Sequence, residues 1–250
     1  MTGKKYIIPN VFTALNIFCG FLAIINVAEG KIATAGWLVV FAAIFDALDG
    51  KVARITKTYS NFGVEFDSLA DVVSFGAAPA ILLYKAHYYS LGTLGLLLSF
   101  MPLLFGGIRL ARFNIQLEGF DKEKFVGLPI PMAAIALCTF VIFNYELSQG
   151  LRFARLLTPL VIFLSLLMVS TIEYETLPKI SFKEDRKNSV KLLLIIICAM
   201  FVGLFPKEIF FLIMTYILFG VFRWVFYLFK GEEEIDVPIS DQLGNNIDSS

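Results

Sequence analysis

The chain has 250 residues, of which 58% are apolar and 17% charged, with a mean hydropathy of +0.76. Soluble domains run at roughly 45–50% apolar and about 25% charged, so a soluble globular enzyme is excluded. Basic and acidic residues each total 21, which gives no case for a nucleic-acid partner, and this hydrophobicity rules out disorder over most of the length.

The bilayer is therefore the solvent to reason in, and uncharged runs recur along the whole chain. At the start, Lys4 and Lys5 mix with Tyr6, Ile7, Ile8 and Phe12, a composition that suits either a short segment on the inner membrane surface or a frayed terminus. Residues 11–28 read as a first span, not as a cleaved signal peptide, because the run is long, lacks a small-residue cleavage site and leads straight into further spans. The next two runs, 32–45 and 72–84, approach the roughly 20 residues of a membrane helix only if they extend through the charged block 46–71. Carboxylates then lie within the bundle. Spans are expected near 11–28, 33–56, 62–86, 90–113, 127–147, 153–172, 190–206 and 208–229, giving an all-α, polytopic membrane helix bundle of about eight helices.

Basic residues set the expected orientation, since cytoplasmic loops carry the lysine and arginine excess. With the N-terminus inside, only Lys31, Lys85, Arg152, Arg155 and Lys207 fall outside. Both termini are then cytoplasmic, in a cell (inner) membrane. Residues 1–230 read as a single integral-membrane catalytic domain. The stretch 231–250 carries Glu232, Glu233, Glu234, Asp236, Asp241 and Asp248 and no basic residue, and reads as an acidic, disordered cytoplasmic tail. Cys19, Cys138 and Cys198 sit in apolar stretches with no CxxC spacing and read as core filler.

Chemistry is concentrated between the second and third spans. Asp46 and Asp49 stand three apart and share a helical face with Gly50 and Ala53; Gly63, Asp67 and Asp71 recur every four residues on the next helix, forming a second stripe. The polar turn between them, with Thr56, Thr58, Ser60 and Asn61, allows the helices to run antiparallel with their acidic stripes facing. Four carboxylates in a low-dielectric setting need counter-charge, because each unpaired ion costs several kcal/mol there. Arg54 supplies one positive charge. Hard divalent ions supply the rest, and oxygen-only ligation points to two Mg²⁺ or Mn²⁺ ions, as in phosphoryl displacement. Zinc is disfavoured, because no cysteine is near and His87, the one histidine, falls on the far side of the topology. Taken singly, each aspartate could be a cap or an interfacial carboxylate, and Gly50, Ala53 and Gly63 could be helix-packing residues. Eight specified positions together have a chance on the order of 10⁻⁹ per start position.

These residues follow the pattern D-x2-D-G-x2-A-R-x8-G-x3-D-x3-D, and the chain resembles the CDP-alcohol phosphotransferase superfamily, whose signature this is. The resemblance covers roughly residues 9–131, begins with Pro9-Asn10-Val-Phe-Thr13 and is met at every specified position. Within the superfamily, residues 45–54 and 66–80, the stretch Arg109-Leu-Ala-Arg112-Phe113-Asn114 and the stretch Gly127-Leu-Pro129-Ile-Pro131 are most similar to the integral-membrane phosphatidylserine synthases. That resemblance implies a six-helix catalytic core near 9–150 and metal-dependent transfer of a phosphatidyl group from CDP-diacylglycerol to L-serine. It implies metal ligation by Asp46, Asp49, Asp67 and Asp71, with Asp71 also the general base. It implies CDP-diacylglycerol binding by Asn10, Thr13, Gly50, Ala53, Arg54, Ser60 and Gly63, and a serine pocket around Arg109, Arg112, Phe113 and Asn114. On residues alone, Ser60, Asn10 and Thr13 read equally well as turn and cap residues, and the arginines as interfacial anchors for anionic lipid headgroups. Membrane lipids and a second copy of the chain, as a homodimer, complete the candidate partners. The alternatives are another acceptor, such as glycerol 3-phosphate or an inositol phosphate, and a divalent-cation transporter, in which Gly50, Arg54 and the eight-residue spacer have no role.

Overall fold

The computed structural model describes residues 7–56, 60–118, 127–148, 150–172, 174 and 208–230, and every regular element among them is helical. Helix α1 is Ile7–Ala28, α2 is Ile32–Thr56, and α3 is a rod over 61–86 built from Asn61–Asp71, a π-helical stretch Val72–Ala77 and Ala78–Ala86. Then come α4, Gly92–Glu118, α5, Ile130–Ser148, α6, Ala154–Val169, and α7, Ile209–Lys230. Six of these helices are long and apolar enough to cross a membrane, and α6 is shorter. The protein is a polytopic membrane helix bundle. The expected span 190–206 and the acidic tail 231–250 lie outside the described residues.

Local chemistry explains the hairpins. Helix α1 closes on Gly30, at φ +80°, whose amide donates to the Val27 carbonyl at 3.0 Å while Lys31 donates to Asn26 at 2.8 Å. This paired closure needs a left-handed residue, which glycine supplies without a Cβ penalty. The chain therefore reverses at once, and α2 packs along the full length of α1 through Ala23, Val27, Ala35, Val39 and Ala42, all buried. Small side chains bring the two backbones close, the usual basis of helix association where lipid removes the hydrophobic drive. At the start of α3, extended Ser60 accepts the amide of Gly63 on its Oγ at 3.0 Å, the standard N-cap arrangement.

Helices α3 and α5 are the most enclosed, with 56% and 61% of their spans buried, against 22% for α4 and α7. Their side chains Phe75, Leu82, Leu137 and Ile142 form the core with Leu164 of α6 and Ile217 of α7. Bulky residues such as Phe18, Phe41, Leu97 and Phe219 face outward, as a lipid-exposed surface requires. The amide of Leu128 donates to Leu167 and that of Gly127 to Ile172, tying the entry of α5 to the end of α6. From Ile7 onward the N-terminal segment is helical and continuous with α1; Lys4, Lys5 and Tyr6 lie outside the described residues. Cys19 and Cys138 are buried free thiols, as core filler should be; Cys198 lies outside the described residues.

Candidate active site

The site is assembled at one end of the bundle, where α1 begins, α2 ends and α3 begins. Asn10, Thr13 and Asn16 recur every three residues and so share one face of α1. Thr13 is 3% exposed and Asn16 fully buried, which is costly in an apolar helix unless each finds a partner. Both find an aspartate. Thr13 Oγ1 donates to Asp49 Oδ2 at 3.0 Å and also reaches the Pro9 carbonyl at 3.3 Å. Asn16 Nδ2 donates to Asp71 Oδ1 at 3.3 Å.

The two acidic stripes converge as their spacing requires. Asp46, Asp49 and Asp67 each offer one carboxylate oxygen, and these oxygens lie within 4.8 Å of one another. Asp71 completes the group, within electrostatic reach of Asp46, Asp49 and Asp67. Asp49 and Asp71 are buried, and Asp67 Oδ1 is buried with no hydrogen-bond partner among the described residues. Four carboxylates this close cannot all carry charge without a cation between them. An all-oxygen donor set with an orphaned carboxylate oxygen fits a hard divalent ion, not zinc.

Beside the carboxylates lies a cleft lined by Pro9, Asn10, Thr13, Asp49, Gly50, Ala53, Ser60, Gly63, Val64 and Asp67. The side chains in its walls are small. A Cβ built on Gly50 would meet nothing within 4 Å, whereas one on Gly63 would sit 3.1 Å from Ser60 Oγ and 3.6 Å from Asn10 Oδ1. Gly50 thus leaves open space along the α2 backbone, and Gly63 lets α3 approach its own cap and α1. Six of the seven residues assigned by resemblance to the CDP-diacylglycerol head line this one cleft. The Arg54 side chain lies outside the described residues.

The candidate serine residues occupy α4, which runs through to Glu118 and so carries all of them within a helix. They divide between two neighbours. Asn114 exchanges hydrogen bonds with Ser68, one residue beyond Asp67, at 3.0–3.2 Å. The Arg109 guanidinium lies 5.9 Å from the Phe113 ring centroid and within electrostatic reach of Asp71, and its Nε is buried without a hydrogen-bond partner among the described residues. Arg112 faces elsewhere, its Nη1 donating to the Val169 carbonyl at the end of α6 at 3.0 Å. Among the described polar groups, Asn16, Ser68 and Ser74 were not anticipated. The period-three placement of Asn16 after Asn10 and Thr13 was a visible signal, since asparagine inside a spanning run is expensive. Nothing in the sequence marked the π-helical stretch, because it depends on how α1 and α3 cross.

A polytopic helical membrane protein with a polyacidic cleft at one end of its bundle is the class that fold and site define together. The family model described as CDP-alcohol phosphatidyltransferase matches residues 6–169, and the chain belongs to that family. It is 40% identical over 228 residues, covering 90% of this chain and 94% of the relative, to a Helicobacter pylori protein named CDP-diacylglycerol–serine O-phosphatidyltransferase. A Methanocaldococcus jannaschii protein of the same name is 36% identical over 223 residues, 89% of this chain and 96% of its own. An archaetidylserine synthase from Methanothermobacter thermautotrophicus is 37% identical over 169 residues, 67% of this chain and 69% of the relative. The match to the family model runs through α6, beyond the 9–131 that the motifs alone cover.

Proposed function

We propose that the protein transfers the phosphatidyl group of CDP-diacylglycerol to the hydroxyl of L-serine, giving phosphatidylserine and CMP. The observation that carries this reading is the convergence of Asp46, Asp49 and Asp67 beside a cleft walled by small residues, in a chain whose full-length relatives bear that activity in their names. The serine oxygen forms a bond to the phosphorus that carries the diacylglycerol, the bond from that phosphorus to the CMP oxygen breaks, and the hydroxyl proton leaves to Asp71. Direct displacement needs no covalent enzyme intermediate.

Asp46, Asp49 and Asp67 would hold a pair of Mg²⁺ or Mn²⁺ ions, with Asp71 completing the second site. When bound, such ions neutralise the pyrophosphate and stabilise charge on the departing CMP. Gly50, Ala53 and Gly63 let the nucleotide lie against the helix backbones, while Asn10, Thr13 and Ser60 offer polar atoms along its path and Arg54 a positive charge for phosphate. Arg109, within reach of Asp71, pairs with the serine carboxylate, for which a guanidinium fork is the matching donor. Phe113 packs under that guanidinium, and Asn114 holds α4 to α3 through Ser68. The basic-residue bias puts this end of the bundle, and both termini, on the cytoplasmic side of the cell membrane.

The deciding experiment is an acceptor panel. Detergent-solubilised protein given CDP-diacylglycerol and Mn²⁺ releases CMP with L-serine and not with glycerol 3-phosphate, inositol phosphate or water. CMP release supported by glycerol 3-phosphate and not by serine overturns the substrate assignment; no CMP release with any acceptor overturns the enzyme assignment.

A further inference from the structure

The face of α1 that meets α3 carries a polar interlock one turn deeper than the cleft. Asn16 is fully buried, and its side chain donates to Asp71 Oδ1 at 3.3 Å. Its backbone carbonyl, which in a regular helix accepts the amide four residues on, takes a second bond from Ser74 Oγ at 2.9 Å. Ser74 is itself fully buried and lies in the π-helical stretch that starts immediately after Asp71. The crossing is close because α1 has glycine there: a Cβ on Gly20 would stand 2.5 Å from Ser74 Oγ and 2.7 Å from Ser74 Cα. Single π-turns inside α-helices recur at functional sites, where they break the regular register of side chains.

We propose that Asn16 is a positioning residue for Asp71, holding one carboxylate oxygen from α1 so that the other is presented to the acceptor hydroxyl; this rests on the assignment of Asp71 as general base. The physical case is one of over-determination. A carboxylate on a helix can turn about its side-chain torsions, and a base must present an oxygen within hydrogen-bond reach of the proton it takes. Asn16 is fixed at its backbone by Ser74 and at its amide by Asp71, so the relation between α1 and Asp71 is locked from both ends. A residue kept only for packing would be apolar here, since a buried amide costs stability unless bonded, and Asn16 Oδ1 remains without a partner among the described residues. That unsatisfied acceptor is the cost tolerated to keep the donor aimed at Asp71.

The test compares wild type with Asn16→Leu, which keeps the branching and heavy-atom count of the side chain and lacks the donor, and with Ser74→Ala, which frees the backbone of Asn16. In a CMP-release assay with L-serine and CDP-diacylglycerol, Asn16→Leu lowers kcat by about 10- to 100-fold, the scale of losing a group that orients a site residue. The KM for CDP-diacylglycerol moves by less than about 3-fold, and the detergent-solubilised variant still binds Mn²⁺ by electron paramagnetic resonance, because Asp46, Asp49 and Asp67 keep their own places when the donor to Asp71 is lost. Ser74→Ala shows a smaller fall in kcat with the same unchanged lipid KM, and tests the interlock if Asn16→Leu does not fold. Wild-type kcat in Asn16→Leu overturns the proposal, as does a loss that comes entirely through lipid KM or Mn²⁺ binding. An inactive wild type sinks the reading of the reaction itself, while an active wild type with an equally active Asn16→Leu sinks only the role of Asn16.

Discussion

Arg112 Nη1 donates to the backbone carbonyl of Val169 at 3.0 Å, closing the C-terminal end of α6 against α4. Arg109, one turn earlier on α4, keeps its Nε buried without a partner among the described residues and lies in the electrostatic field of Asp71. Two arginines that look equivalent in sequence therefore have different work. Arg112→Ala removes a charge-assisted bond worth about 1.5–3 kcal/mol and is expected to lower the melting temperature in detergent while changing the KM for serine by less than about 3-fold. Arg109→Ala is expected to raise the KM for serine by about 10-fold or more, as loss of a charged bidentate partner does, with the KM for CDP-diacylglycerol little changed. Steady-state kinetics against each substrate, beside a thermal scan, separate the two; equal effects on both KM values for Arg109→Ala would make it a lipid anchor.

The Thr13–Asp49 bond gives a second expectation. Thr13 Oγ1 is 3.0 Å from Asp49 Oδ2 and both residues are buried, so the hydroxyl orients an oxygen of a candidate metal ligand. Partners of this kind typically account for about 10- to 100-fold in metal affinity or activity. Thr13→Val, which keeps the shape and deletes the donor, is expected to weaken Mn²⁺ binding by about 10-fold, whereas Thr13→Ser, which keeps the hydroxyl, should stay within about 3-fold of wild type. Titration of Mn²⁺ by electron paramagnetic resonance reads both. Equal affinities for wild type and Thr13→Val would mean that the bond serves only to dock α1 on α2.

Much of this architecture is legible in the sequence, for physical reasons that also mark the limit. The spans around α2 and α3 emerge because 32–45 and 72–84 are too short for a bilayer unless the aspartates between them are drawn into the helices. Asp46 with Asp49, and Asp67 with Asp71, fall on facing stripes because helical spacing leaves them nowhere else. Helix ends are less legible: α4 continues to Glu118, past the basic residues that suggested an interface near 113, and α6 stops at Val169, where Ser170 turns extended and Arg112 takes the carbonyl of Val169. The π-stretch of α3 and the Asn16–Ser74 contact depend on a crossing of two helices 58 residues apart. No local pattern encodes such a crossing, although Gly20 is the residue that permits it.

Chelation and Asp71→Asn probe the same cluster in different ways. Removing divalent ions with EDTA is expected to abolish CMP release, with recovery on adding excess Mg²⁺ or Mn²⁺, because Asp46, Asp49 and Asp67 lose the counter-charge that lets them stay ionised together. Turnover undiminished in chelator would exclude the metal reading. Asp71→Asn keeps the volume and the contact with Asn16 but removes the proton acceptor, so kcat is expected to fall by about 10²- to 10⁴-fold, the range of general-base contributions. Binding of CDP-diacylglycerol, measured with a radiolabelled lipid, should persist in the variant. An active Asp71→Asn enzyme would exclude Asp71 as base.

Gly50 and Gly20 separate a glycine kept for the substrate from one kept for the fold. A Cβ on Gly50 would meet no atom within 4 Å, while one on Gly20 would press into the backbone and hydroxyl of Ser74. Gly50 lies within α2, where replacing glycine by alanine usually gains about 0.5–1 kcal/mol by restricting the unfolded chain. Gly50→Ala is therefore expected to be as stable as wild type in detergent, or slightly more so, and yet to raise the KM for CDP-diacylglycerol, because the added methyl stands in the cleft where the nucleotide must lie. Gly20→Ala is expected to lose stability and activity together, since α1 must move off α3 and carry Asn16 away from Asp71. Thermal stability and lipid KM measured on both variants decide the matter. A Gly50→Ala enzyme with wild-type lipid KM would mean that the head of CDP-diacylglycerol binds elsewhere than along this stretch of α2.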